Sequence, residues 1–151
     1  MTEIISEYNE EYEAFIASHP KGHFCQSRKW GCVKSCWTWK GIICRGEDGY
    51  IRGIMSLLIR PLPVLRYRLI YAPRGPVCDT NDEEVLTQLL QAVDLLAKEY
   101  RAYRFIIDPD IEECRPFTTL MLKWGACLKP PVEDFRNIQP QYVVRLNLFG
   151  K

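Results

Sequence analysis

Leu65-Arg66-Tyr67-Arg68-Leu69-Ile70-Tyr71, then Ala72-Pro73-Arg74-Gly75-Pro76, then the run from Asp82 to Ile107: the fold turns on this stretch. Leu65, Tyr67, Leu69 and Tyr71 alternate with Arg66, Arg68 and Ile70, which is the two-residue period of a strand. Thr80 and Glu83 have capping-box spacing ahead of a helix predicted over 82–100. Val85, Leu89, Val93, Leu96 and Tyr100 share one face of that helix, and Asp94 and Lys98 form a supporting pair one turn apart. Phe105-Ile106-Ile107 reads as a short buried strand closed by Asp108-Pro109-Asp110.

Upstream, Asp48-Gly49 is a hairpin signal between strands predicted at 38–45 and 50–60, with Pro61 and Pro63 marking a corner. Tyr8, Tyr12, Phe15 and Ile16 have helical spacing over 8–17, and Pro20 and Gly22 end that segment. Ser27 is a good N-cap for a short helix to Cys36, with Trp30, Val33 and Trp37 as its core-facing stripe. Downstream, Phe117, Leu120, Met121 and Trp124 predict a helix stopped by Gly125. After Pro130-Pro131, the alternation of Tyr142, Val144, Leu146 and Leu148 predicts a final strand. The order α-α-β-β-β-α-β-α-β predicts an α/β chain with a mixed, twisted sheet and helices on both faces. It resembles the acetyltransferase-like (GNAT-like) fold, an analogy that says nothing about chemistry.

Bulk properties narrow the classes. The 151 residues, 47% hydrophobic and 26% charged, suit one globular domain. A net charge of +1 argues against a whole-surface nucleic-acid binder, and no DNA partner is expected. No apolar run is long enough to span a bilayer, and Met1-Thr2-Glu3-Ile4 does not open a secretory signal, so a cytoplasmic chain is expected. Seven cysteines without a C-x-x-C, and two histidines (His19 and His23) off any zinc spacing, predict no metal and mostly buried, reduced thiols. In an ordinary acetyltransferase a glycine-rich loop ahead of the long helix would cradle a pyrophosphate on backbone N–H groups. Pro73-Arg74-Gly75-Pro76 has two residues without an N–H, so no acetyl-CoA and no other cofactor is expected.

Four strings in order carry a more specific resemblance. Phe24-Cys25-Gln26-Ser27-Arg28-Lys29-Trp30, with Val33-Lys34, is similar to an F-x-Q-S-x-x-W-x-x-V-K signature. Tyr71-Ala72-Pro73-Arg74-Gly75-Pro76 resembles Y-x-P-R-G-P, Ile106-Ile107-Asp108-Pro109 a strand end, and Asn137-Ile138-Gln139-Pro140 the entry to a final strand. All four resemble the FemABX peptidoglycan-bridge aminoacyltransferases. The resemblance implies two acetyltransferase-like halves, of which residues 1–151 are the first and the second lies outside the chain. It implies transfer of an amino acid from aminoacyl-tRNA to the stem peptide of a UDP-linked or lipid-linked precursor. The expected setting is the cytoplasm, with peripheral contact at the inner membrane face. An acyl-CoA-dependent acyltransferase and a non-catalytic nucleotide-sugar or peptide-binding module are the competing readings.

Each candidate residue has two readings. Lys34 falls about 40° from Trp30 on a helix, either as a snorkelling stem over Trp30 and Trp37 or as a cation for a precursor phosphate or carboxylate. By resemblance it contacts substrate. Arg74 either braces the proline turn, through Asp79 or backbone carbonyls, or meets substrate with its planar fork. Asp108 sits at a strand's carboxyl end, where open α/β sheets place ligands. It is either a turn residue or, by resemblance, the catalytic group facing the acceptor amine. Tyr103 is core or lines the cleft. Arg60, Arg66, Arg68, Arg101 and Arg104 form either a solvated face or a contact for tRNA or anionic lipid. No nucleophile is required, because an aminoacyl ester is already activated and positioning the amine supplies much of the rate. The amine's proton would pass to Asp108, water or the substrate itself.

Overall fold

The computed structural model describes residues 1–63, 66–112 and 115–127. Along the chain run β1 (Thr2–Ile5), α1 (Glu10–Ser18), a 3₁₀ turn (Phe24–Gln26), α2 (Arg28–Val33), β2 (Thr38–Arg45) and β3 (Ile51–Pro61). Then come β4 (Arg68–Arg74), β5 (Val77–Cys78), α3 (Glu83–Glu99), β6 (Ala102–Pro109) and α4 (Arg115–Lys123). The sheet order is β1-β2-β3-β4-β6, antiparallel until β4 and β6, which pair in parallel across the α3 crossover. The sheet is therefore mixed, as its element order predicts.

Alternate residues of each strand feed two separate cores, which is why helices lie on both faces. On one face Ile42, Leu57, Ile59, Ile70 and Ala72 pack under Val85, Leu89 and Leu96 of α3 and Phe117 of α4. On the other, Ile43, Ile54 and Leu58 pack under Tyr12 and Ile16 of α1, with Trp39 and Val77.

Several boundaries move. The helix after Ser27 stops at Val33, with Lys34 as its C-cap, and Val33 is 68% exposed. Trp30 and Trp37 do pack against the second core, but the buried aromatic is Trp39, on which Gly31 seats α2. A Cβ at Gly31 would lie 2.6 Å from the Trp39 ring. The predicted capping box of Thr80 and Glu83 does not form; Asp82 caps α3 by accepting from the Val85 N–H at 3.1 Å. The thiols divide: Cys25, Cys44 and Cys78 are buried, whereas Cys32, Cys36 and Cys127 are exposed, so burial is not the rule for them. Burial pushes the Cys78 thiol up to about 12, in keeping with an inert core group. The strand predicted around Tyr142 to Leu148 lies outside the described residues.

The feature that shapes the site is a break in the β3 ladder. β4 pairs with β3 as far as Leu58 opposite Tyr71, and β5 rejoins it at Ile54 opposite Val77. Between these points three residues, Met55 to Leu57, face five, Ala72 to Pro76. The fully buried Gln26 fills the gap. Its Nε2 donates to the Pro73 carbonyl at 2.5 Å and its Oε1 accepts from the Ser56 N–H at 2.7 Å, replacing a missing rung. Tyr12 donates to the Gln26 carbonyl at 3.0 Å, and Trp39 Nε1 donates to Ser56 Oγ at 2.7 Å. Gly75 is required here, because a Cβ would sit 2.7 Å from Gln26 Nε2.

Candidate active site

The ladder break delivers Arg74 to the carboxyl ends of β4 and β6, where the register sets Pro73 opposite Asp108. Arg74 adopts φ 57°, a left-handed conformation unusual for a residue with a side chain. Asp108 holds that turn in place. Its Oδ1 accepts from the Arg74 N–H at 2.8 Å and its Oδ2 from the Tyr71 hydroxyl at 2.9 Å. The carboxylate is thus oriented across strands rather than spent on a local Asx turn or a helix cap. A carboxylate offers about four acceptor sites, so two fixed bonds orient it and leave capacity for a further donor.

Lys34 is the C-cap of α2, the helix that follows the 3₁₀ turn. Its Nζ lies 4.8 Å from the Trp30 ring centroid, a cation–π contact that holds the ammonium beside an apolar surface. Cys25 reports how these groups gather. Burial first pushes its thiol up, and the charges of Arg74, Asp108 and Lys34 all act on it, the two cations downward and the carboxylate upward. The charges of three of the four sequence candidates therefore reach one buried thiol. Arg74 is itself buried, at 9% exposure.

Tyr103 does not join them. It lies five residues before Asp108 on β6, about 16 Å along the strand. It is neither core nor beside the carboxylate, being 59% exposed with Arg104 over its ring. The reason is a register shift between Arg68 and Leu69, whose partners are Ala102 and Arg104. Tyr103 is the extra residue of that bulge, so simple alternation from Phe105 misplaces it. Gln26 and Tyr71 are the site residues that sequence reasoning missed. Both stand in the quoted strings, which were the available signal, but their partners are far away in sequence.

The start of α3 does not fit a cofactor pyrophosphate. Asp82 occupies the Val85 N–H, Asp79 Oδ1 takes the Asn81 N–H, and Glu83 and Glu84 fill the first turn. A phosphate there would meet carboxylates where it needs free donors. Calorimetry with coenzyme A should accordingly show no binding tighter than about millimolar, roughly −4 kcal/mol. A micromolar constant would return the acyl-CoA reading.

Comparison with known proteins bears on the fold and the family. Solved acetyltransferases share the fold: a probable acetyltransferase superposes with a TM-score of 0.62 over 93% of this chain and 99% of its own, at 12% identity. A nearer match is the crystal structure of FemX, with a TM-score of 0.73 and 34% identity over 82% of this chain and 31% of its own. The FemAB family model matches residues 8–118, and the chain belongs to the FemAB family. It is 41% identical over 105 residues to lipid II:glycine glycyltransferase of Staphylococcus epidermidis and 40% identical to that of Staphylococcus aureus. The match takes in 69% of this chain, which spans about a quarter of those relatives, 25% of each. No helix among the described residues is long and apolar enough to cross a membrane.

Proposed function

We propose that this chain is the first of two acetyltransferase-like halves of an aminoacyltransferase that builds peptidoglycan bridges at the inner membrane face. The donor is aminoacyl-tRNA and the acceptor is the stem-peptide amine of a lipid-linked precursor. Relatives named for glycine transfer to lipid II support the lipid-linked acceptor and a glycyl group over the UDP-linked alternative. The observation that carries the reading is the Asp108 carboxylate at the strand end, held by the Tyr71 hydroxyl and the Arg74 N–H.

In this reaction the acceptor nitrogen attacks the ester carbonyl of the donor. A C–N bond forms, the C–O bond to the tRNA ribose breaks, and the amine's proton ends on the released hydroxyl. Asp108 aligns the amine and takes up that proton in transit, its orientation already set by Tyr71 and Arg74. Lys34 serves as a counter-charge for a precursor phosphate or carboxylate.

Kinetics in a protein carrying both halves test the assignment. Lys34→Ala should raise KM for lipid II by roughly ten- to a hundredfold, the worth of one charged hydrogen bond, with kcat much less affected. An unchanged KM in a folded variant removes Lys34 from the site.

A further inference from the structure

On the face that carries Asp108, a row of side chains crosses the far end of the sheet. Arg60 of β3 is opposite Leu69 of β4, and Leu69 is opposite Arg104 of β6. Each of the three is two residues from Leu58, Tyr71 or Ile106 on its own strand, so all of them project on the same side. Aromatic rings close both ends. Trp37 lies 5.6 Å from the Arg60 guanidinium, and Tyr103 lies 5.0 Å from that of Arg104 and accepts its hydrogen bond at 2.8 Å. Arg66 and Arg101 stand exposed at the same end of the sheet. Among the described residues no carboxylate forms an ion pair with any of these arginines, although Arg45, Arg52, Lys98 and Lys123 all have one. Beyond Trp37 the row runs into an open groove of about 530 Å³ that also holds Arg28, Lys40 and one carboxylate, Glu7.

The geometry points to a docking strip for the phosphate backbone of an unpaired RNA segment, with Trp37 and Tyr103 as stacking rings at its ends. Unpaired guanidiniums match phosphate oxygens through two parallel N–H donors, and rings between cations give bases a surface without reading sequence. A lipid headgroup offers the same phosphate, but a bilayer also favours protruding apolar groups between the cations. Here Leu69 is half-buried and the rings lie against the guanidiniums. The strip also leads somewhere: Arg104 is four residues, about 13 Å along β6, from Asp108 on the same face. Strip and carboxylate together would hold the unpaired end of an RNA whose terminal ester reacts at Asp108. That consequence rests on the proposed donor; the binding itself does not.

Fluorescence anisotropy of the full chain with a labelled single-stranded 12-nucleotide RNA, titrated with salt, tests the strip. Arg60→Ala with Arg104→Ala should weaken binding at least tenfold and lower the log–log salt slope by about 1.4, two phosphate contacts at roughly 0.7 each. Lys98→Ala, whose lysine is already paired with Asp94, should leave both unchanged. Arg60→Lys with Arg104→Lys should keep the slope and lose part of the affinity. The inference is overturned if RNA affinity and slope survive in the alanine pair. It is equally overturned if vesicles with 30% phosphatidylglycerol, and not the RNA, are bound through these arginines. Because no transfer is read, failure here leaves the proposed reaction standing, and a failed transfer assay leaves the strip standing.

Discussion

Gln26→Leu should destabilise the fold by about 2–6 kcal/mol, because two buried backbone groups each lose a partner worth roughly 1–3 kcal/mol. Those groups are the Ser56 N–H and the Pro73 carbonyl, which Gln26 bridges where β4 leaves β3. Leucine nearly fills the volume and so leaves little room for a bridging water. A loss of that size approaches the whole stability of a domain, typically about 5–15 kcal/mol. Gln26→Glu makes the same point through pH. An ionised glutamate keeps an acceptor for Ser56 but turns an oxygen toward the Pro73 carbonyl; protonated, it restores the donor. Burial and that hydrogen bond raise its folded pKa above the unfolded value, so the variant gains stability as pH falls through the folded pKa. Urea melts of both variants at pH 5 and pH 8 give the answer. A Leu variant within about 0.5 kcal/mol of the parent, the usual range of neutral surface changes, would show that the bridge carries no weight.

Where local period and burial agree, the fold is legible in the sequence. β2, β3 and α3 fall within a few residues of their predicted places, since each buries a stripe against the larger core. β6 is also found, but it runs from Ala102 to Pro109 and is only partly buried, with Ile106 36% exposed rather than inside a buried strand. β1 is four residues long and mostly exposed, and β5 is a two-residue return, so neither leaves a period to detect. The alternation, which Arg66 and Tyr67 continue, places the start of β4 three residues early. The chain is still turning there, with the Leu62 N–H bonded to the Tyr67 carbonyl at 3.0 Å. The site divides in the same way. Asp108 can be found from its place at a strand end. The function of Gln26 cannot, since its partners are 30 and 47 residues away and meet it only once two strands have separated. Tyr103 misleads because a bulge opposite Arg68 and Leu69 breaks the rule that locates its neighbours.

Asp108→Asn should lower kcat by about a hundredfold or more in the protein carrying both halves, the range for loss of a positioned proton acceptor. Asparagine suits the test because it preserves the architecture. Its Oδ1 can still accept from the Arg74 N–H, and its amide can donate to the Tyr71 oxygen once that hydroxyl turns away. Charge and basicity go; the turn stays. Asp108→Ala differs, since it strips the Arg74 N–H of its acceptor beneath a backbone already at φ 57° and adds a stability loss of about 1–3 kcal/mol. Tyr71→Phe removes one orienting bond and leaves the carboxylate charged and still tied to the Arg74 N–H, so kcat should fall by about tenfold, the lower end of the worth of a hydrogen bond to a charged group. A purely structural Asp108 would give the opposite order: Asn near the parent in kcat, Ala impaired, and the losses tracking urea midpoints. A proton acceptor gives an Asn variant that melts like the parent and barely turns over. Single-turnover rates with saturating lipid II, compared with urea midpoints for all three variants, separate the two orders. A melt-neutral Asn variant with parental turnover would remove Asp108 from the chemistry while leaving its tie to Arg74 intact.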